Sequence, residues 1–429
     1  MTISFLQGDV FDKLKELDDN SIDCVVTSPP YWGLRDYGTA KWQGGDLNCS
    51  HSYGRNTRGG LTQFQKNNKG SFGDEAIKSG EHCKLCGAKR IDKQLGLEPT
   101  YQEHIQNIIE LFRAMKPKLK DSATIWLNYG DSYAATVNGT KAKDIKNDDR
   151  GFVDKPFSTI QGSIKPKDLV MIPNRIAIAL QDDGWWIRSE IIWHKPNPMP
   201  ESTKDRPTSA HEKIWLITKS KKYYYDADAI KEPTKFPNAK ANWTSKQRIE
   251  RAKSLNRKPV GNEINKKKYN GQSFKNKRNV WTITTKPCKE AHFATFPKDL
   301  IEPCIKAGCP EKVCVECGKP QVKEFYRKEK YNPGYGNQHT PKGTHKKIGG
   351  VYQKWLEENP PKITIKPSCD CNKGFKSGVV LDPFGGAGTT GIVAKQFNRT
   401  AILIELNSEY IKIAKKRIDK ELGMFKWNI

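Results

Sequence analysis

No stretch of the sequence approaches the roughly 18 consecutive apolar residues that a membrane-spanning helix needs. The N-terminal MTISFLQGDVFD carries Asp9 and Asp12 where a signal peptide would be apolar, so a cytoplasmic protein is expected. Acidic residues are also short: 48 Asp and Glu face 74 Lys and Arg, a formal charge of +26 with a pI near 9.5. That deficit points to a polyanionic partner, nucleic acid ahead of an acidic membrane surface. An even cysteine count is missing too. The eleven cysteines are odd in number and clustered, which argues against the complete disulfide framework of a secreted chain. No internal repeat stands out. What remains is a chain of 429 residues, long enough for two or three domains and for a core that needs no covalent staples.

The clustered cysteines have metal-ligand spacing instead. Cys49-x-His51 with Cys83-x-x-Cys86, and Cys314-x-x-Cys317 with Cys369-x-Cys371, each offer four soft or borderline ligands. In both, the x-x pair is followed by glycine (CKLCGAK, CVECGKP), which permits the tight turn that makes two thiolates converge. With no position left for water, two closed structural zinc sites are expected; reduced surface cysteines without metal are the plain alternative. His82 could replace His51, and Cys309 could compete in the second set.

A different kind of signal sits at residues 27–32, TSPPYW. Ile22, Cys24, Val25 and Val26 read as a buried strand, which Pro29 and Pro30 must end because neither has an N–H for a ladder. A plain loop would use Gly, Asn or Asp there. Here Ser28, Tyr31 and Trp32 are held on a stiff backbone at the carboxyl edge of a strand, where α/β sheets bind ligands. A rigid turn with aromatics packed on the core is the competing reading.

Near the other end, GVVLDPFGGAGTTGIVAKQFNRTAILIEL reads as strand, glycine-rich turn, helix, strand, a βαβ nucleotide-binding unit. Gly386 and Gly388 allow a ligand close to the backbone, Thr389 and Thr390 start the helix, and Glu405 ends the second strand, where a carboxylate suits two ribose hydroxyls. The turn lacks the full G-x-G-x-x-G fingerprint of a dinucleotide site and has Asp382-Pro383-Phe384 before its glycines. S-adenosylmethionine fits better. Its amino-acid end carries an ammonium and a carboxylate, which an acid such as Asp382 and the free N–H groups of a helix start can meet, with Phe384 beside them.

Between these motifs, VFDKLKEL, YQEHIQNIIELFRAMKPKL and LVMIPNRIAIALQDDG read as helices, and TIWLNYGDSY, WWIRSEIIWHKPNPMP and EKIWLITKS as strands with their turns. The segmentation is methyltransferase-like sheet over 1–40, a zinc-binding insertion over 41–98, sheet again over 99–230, a basic segment over 231–285, sheet over 286–309, a second zinc-binding insertion over 310–375 and the cofactor unit over 376–429. The basic segment carries Lys266, Lys267, Lys268, Lys275, Lys277 and Arg278 with aromatics interleaved, including Trp243 and Tyr269. Charge of one sign suits phosphate contacts, against a merely solvated linker.

TSPPYW and DPFGGAGTT, in that order, resemble the amino-directed DNA methyltransferases of the β group, which methylate N4 of cytosine or N6 of adenine. The likeness extends through GDVFDKL, LNYGDSY, WHKPNPMPES and HFATFPKDLI and is nearest to modification methylases of bacteria and their phages; the zinc insertions depart from the minimal pattern. The resemblance implies a doubly wound, Rossmann-like α/β sheet, sequence-permuted, with 231–285 as target-recognition region. It implies double-stranded DNA as substrate and a base flipped out of the duplex. Ser28 and the carbonyl of Pro29 would accept the target amine, Pro30 would fix that carbonyl, and Tyr31 would stack on the base. Asp9 would reach the cofactor adenine, unless it serves only as a helix cap. Serine at position 28 resembles the cytosine-N4 pattern more than the adenine one. A cognate restriction endonuclease stays open as a partner, since no nuclease signature stands out. Two other classes are weighed beside this one: an RNA or protein methylase, and a non-catalytic zinc DNA-binding protein. A cytosine-C5 enzyme built on Pro287-Cys288 or Pro303-Cys304 would leave the PPY motif idle.

Overall fold

The computed structural model describes residues 2–46, 48–51, 82–83, 85–136, 153–234, 274–286, 295–326 and 362–423. Its centre is a mixed sheet of eight strands: β1 (Ile3–Gln7), β2 (Ile22–Thr27), β3 (Leu119–Tyr129), β4 (Trp186–His194), β5 (His211–Thr218), β6 (Val280–Thr282), β7 (Val379–Asp382) and β8 (Thr400–Glu405). In space they run β1-β8-β7-β2-β3-β5-β4-β6. All neighbours are parallel except that β5 is antiparallel to both β3 and β4. The apolar runs of β2 and β7 are those of strands covered on both faces, and β2 is buried throughout.

Side chains alternate along these strands into two cores. Val25, Leu381 and Ile404 face one with Leu14, Ile108, Phe112 and Ile176, while Cys24, Val380 and Leu403 face the other with Leu300, Ile305, Ile392 and Ile418. The first face is covered by α1 (Val10–Lys15), α2 (Tyr101–Met115) and α3 (Ile172–Asp182), the second by α4 (Lys298–Gly308), α5 (Thr389–Gln396) and α6 (Ser408–Leu422). Local chemistry sets the helix starts. Thr100 accepts the Glu103 N–H at 3.2 Å ahead of α2, and Asn407 accepts that of Glu409 at 2.9 Å ahead of α6. The apolar spacing of α2 buries Ile108, Leu111, Phe112 and Met115 on one stripe.

Residues Pro310–Gly378 form a compact unit of their own, and Met1–Cys309 with Val379–Ile429 form another. Two parts of the chain differ from their sequence segmentation. Val280–Thr282, within the basic segment, is a sheet strand paired with β4, and Trp281 is buried. Residues Gln94, Leu95 and Glu98, at the end of the first insertion, are buried as well, and they belong to the floor of the site described next. Lys266, Lys267, Lys268, Trp243, Tyr269 and Cys288 lie outside the described residues. Among the described residues no helix is long and apolar enough to cross a membrane.

Candidate active site

Because β2 and β7 are adjacent and parallel, with Val380 opposite Cys24 and Leu381 opposite Val25, TSPPYW and DPFGG leave the sheet side by side at one edge. A buried hydrogen bond joins them: Thr27 Oγ1 donates to Asp382 Oδ1 at 2.8 Å. Residues separated by 355 positions are thereby locked into one edge.

The loop after β2 is held from behind. The Tyr31 ring stacks on Tyr129 with centroids 4.5 Å apart. Its hydroxyl donates to Glu212 Oε2 at 2.9 Å, and Ser28 Oγ lies 3.3 Å from that same hydroxyl. Burial, with the Glu212 carboxylate beside it, pushes the Tyr31 phenol well above its ordinary range, so it stays protonated. Glu212 also accepts from Asn128 Nδ2 at 3.2 Å and pairs with Lys195. Gly130 is required beneath: a Cβ there would come within 2.7 Å of the Tyr31 ring. Trp32 does not share the edge. It is a core residue, 1% exposed, whose indole N–H donates to the Glu98 carbonyl at 2.9 Å.

Behind Tyr129 runs a buried polar relay. The Trp32 N–H donates to the Tyr129 hydroxyl at 2.8 Å, that hydroxyl lies 2.8 Å from His104 Nε2, and His104 Nδ1 lies 2.8 Å from Glu98 Oε2. Burial alone would raise the Glu98 carboxyl, but hydrogen bonds from His104 and Asn107 outweigh it and leave the group below its ordinary value. An ionised Glu98 accepts from Nδ1–H, so Nε2 accepts from the tyrosine and every member is satisfied.

The turn after β7 is built differently. Asp382 is buried and accepts from Thr27, from Thr390 Oγ1 at 2.6 Å and from the Phe384 N–H at 3.1 Å, which shapes the turn from within. Burial pushes this carboxyl up to about 7. Gly386 has a φ of 47°, and its N–H donates to Glu405 Oε2 at 2.8 Å; the other Glu405 oxygen accepts from Asn407 N–H at 2.8 Å. Burial raises Glu405 too. Gly388 and Thr389 face away from the rim. Gly388 is buried at a φ of 75°, where a Cβ would meet Ala414 at 3.0 Å, and Thr389 Oγ1 accepts from Arg417 at 2.7 Å. Phe384, Gly386 and Glu405 are the partly exposed members of the turn.

Asp9 caps α1, accepting the N–H groups of Phe11 at 3.1 Å and Asp12 at 3.3 Å. Each proposed metal set converges: the ligand atoms of Cys49, His51, Cys83 and Cys86 lie within 4.8 Å of one another, as do those of Cys314, Cys317, Cys369 and Cys371, without His82 or Cys309. Of the basic residues, Lys275 and Arg278 both pair with Glu232, and Lys277 sits 5.0 Å from the Trp281 ring centre. Cys304 is in α4, fully buried, and burial lifts its thiol far above the ordinary range, which excludes it as a nucleophile.

A parallel α/β sheet that delivers a glycine-rich ligand turn and an aromatic, polar acceptor loop to one edge defines a group-transfer enzyme of the nucleotide-cofactor class. The chain belongs to the DNA methylase family, whose pattern it matches over residues 22–315 and 339–416. It is 32% identical over 418 residues to the type II methyltransferase M.Cfr9I of Citrobacter freundii, covering 97% of this chain and 88% of that one. It is 33% identical over 411 residues to M.SmaI of Serratia marcescens, covering 96% and 89%. Among solved structures, the cytosine-N4-specific PvuII DNA methyltransferase aligns with all of this chain and 88% of its own, at 14% identity and a TM-score of 0.46. A DNA modification methylase of Thermus thermophilus, solved with S-adenosyl-L-methionine, aligns with all of this chain and 99% of its own, at 16% identity and a TM-score of 0.43.

Proposed function

We propose that this methylase moves a methyl group from S-adenosylmethionine to the exocyclic amine of a base flipped out of duplex DNA, N4 of cytosine ahead of N6 of adenine. The observation that carries this reading is the Thr27–Asp382 hydrogen bond, which sets the acceptor loop against the cofactor turn. The sheet order supports a sequence permutation, since the turn that would hold the cofactor comes last in the chain and the acceptor loop first.

The donor set fits the cofactor. Each Glu405 oxygen has one recorded N–H partner, leaving acceptor capacity for ribose hydroxyls, and Gly386 presents backbone at the rim. Asp382 acts by shaping the turn. S-adenosylmethionine supplies an electrophilic methyl on a positively charged sulfonium. Ser28 and the Pro29 carbonyl accept the amine's hydrogens and turn its lone pair toward that methyl, while Pro30 keeps the carbonyl fixed. Tyr31, backed by Tyr129 and tied to Glu212, offers a fixed aromatic platform for a base. Such positioning supplies most of the rate enhancement when the leaving group is already good. Asp9 remains a second candidate contact for the adenine.

Two structural zinc ions complete the reading. Tetrahedral zinc with bonds of about 2.3 Å to sulfur separates its sulfurs by about 3.8 Å. Cys49 and Cys83 have that separation, 3.8 Å, and Cys86 Sγ lies 3.4 Å from His51 Nδ1. The relatives named as type II methyltransferases support a modification role, in which a restriction endonuclease would be the companion activity. Methyl transfer from labelled S-adenosylmethionine, offered duplex DNA, RNA and protein in parallel, tests the function: label in duplex DNA alone is expected, and label only in RNA or protein overturns it. Elemental analysis of the same preparation should find two zinc ions per chain.

A further inference from the structure

The unit Pro310–Gly378 has no part in the chemistry described so far. It contains a knuckle, Cys314 to Cys317 closed by the Gly318 N–H to the Cys314 carbonyl at 3.1 Å, and a two-stranded antiparallel ribbon, Gln321–Tyr326 with Lys362–Pro367. Directly opposed pairs share a face, so Gln321, Lys323, Ile365 and Pro367 lie on one face, and Val322, Glu324, Thr364 and Lys366 on the other. Ile365 is 58% exposed and Val322 44%, so an aliphatic side chain stands in water on each face. A two-stranded ribbon that covers neither face is marginal by itself and gains from a partner.

The chemistry of that partner is set by charge. Between residues 310 and 378 the sequence has fourteen Lys and Arg against seven Asp and Glu. Lys319, Lys323, Lys366, Lys373 and Lys376 are all exposed. The two faces are not equivalent. Glu324 and Lys366 form an ion pair on one, whereas the face of Gln321, Lys323 and Ile365 carries no acid among these residues. The major groove of B-form DNA admits a two-stranded ribbon, with base edges under its floor and phosphates along its walls.

We propose that this ribbon is a second DNA-contacting element, laid into the major groove with the Gln321, Lys323 and Ile365 face toward the bases. Gln321 has the amide that pairs with an adenine edge, Ile365 the surface that meets a thymine methyl, and Lys323 a donor for a phosphate or a guanine edge. The assignment rests on duplex DNA being the substrate, and its test is chosen to fail separately. In the full-length, zinc-loaded chain, Lys323→Glu should weaken binding to short duplexes at least tenfold, and its salt dependence should flatten by about 0.9 log unit per lost phosphate contact. Zinc content unchanged from the parent confirms that the unit is intact. Ile365→Ser should leave binding to unrelated duplexes within twofold and lower methylation of the preferred site relative to other sites. A photoreactive benzophenone side chain at position 365 should cross-link to a duplex containing that site. Duplex affinity and salt slope unchanged in Lys323→Glu, or cross-linking at 365 to protein and not to DNA, overturns the proposal. Duplex binding without any methyl transfer by the parent would instead sink the enzymatic reading and leave the ribbon standing.

Discussion

The loop after β2 and the turn after β7 sit on neighbouring strands, yet they are stabilised in opposite ways. The turn is nearly self-contained: apart from Thr27, the partners of Asp382 and Glu405 are Phe384, Gly386, Thr390 and Asn407, all within the terminal βαβ unit. The loop depends on side chains from across the molecule, with Tyr31 tied to Glu212 over 181 positions and Trp32 to Tyr129 over 97. A ligand turn can be carried as a cassette because its geometry comes from its own glycines and caps. An acceptor loop that must hold an aromatic ring and a hydroxyl at fixed positions needs support from several strands, and this loop draws it from β3 and β5.

Three perturbations sharpen or break that contrast. The largest effect is expected from Ser28→Ala, which removes an acceptor of the target amine: kcat should fall on the order of 100-fold while calorimetric affinity for S-adenosylmethionine stays within about twofold. Cofactor affinity that fell along with the rate would show that loop and turn are one site energetically.

Asp382→Ala comes next, since it strands two hydroxyls and one backbone N–H in a buried place, at a cost of about 3 kcal/mol in urea unfolding. It should disturb both sites, because Asp382 is their shared contact. The same residue gives a pH signature. Burial raises its carboxyl from 3.8 to about 7, so the folded protein holds that proton more tightly than the unfolded chain does. Its contribution to stability is therefore complete below about pH 4 and is lost as pH rises toward 7. The thermal midpoint should carry that decline in the parent and lose it in Asp382→Asn; an identical slope in both would show that Asp382 stays ionised when folded.

The smallest effect is expected from His104→Ala. Loss of the relay between Glu98 and Tyr129 should cost about 2 kcal/mol and lower kcat less than Ser28→Ala does, with cofactor affinity unchanged. If it weakened cofactor binding instead, the loop could not be called separately supported.

The same contrast explains what could be read beforehand. The β7 turn, its helix and Glu405 are consecutive, so glycine spacing and apolar periodicity expose them, as Ile22 to Val26 and the prolines expose the end of β2. Glu98, His104, Tyr129 and Glu212 carried no such signal. Their pairings span distances at which neither strand nor helix periodicity operates, and Glu98 sits in a polar stretch that reads as insertion. Thr27 could have been noticed, being a hydroxyl at the last position of a buried strand. Gly388 and Thr389 were legible as turn residues but not as packing residues, because α6, which they meet, comes nearly thirty positions later, as in the bond from Arg417 to Thr389 across 28 positions. Trp32 shows the converse: an aromatic beside a motif is as often part of the floor as of the site.

The pairing of β2 with β7 has one more consequence, for the order in which the protein can be made. Asp23, at the start of β2, accepts the N–H of Val379 across 356 positions. While the ribosome is still upstream of β7, β2 has β3 on one side and an open, wholly apolar edge on the other. Such an edge is a template for intermolecular pairing. The two metal-ligand sets fall within this waiting period, and a chain that closes local loops around ions before its long-range strands arrive has less free length to mispair. Nascent chains stalled before residue 379 should therefore bind chaperones more strongly than chains released after residue 405, as ribosome profiling of chaperone-bound complexes would reveal.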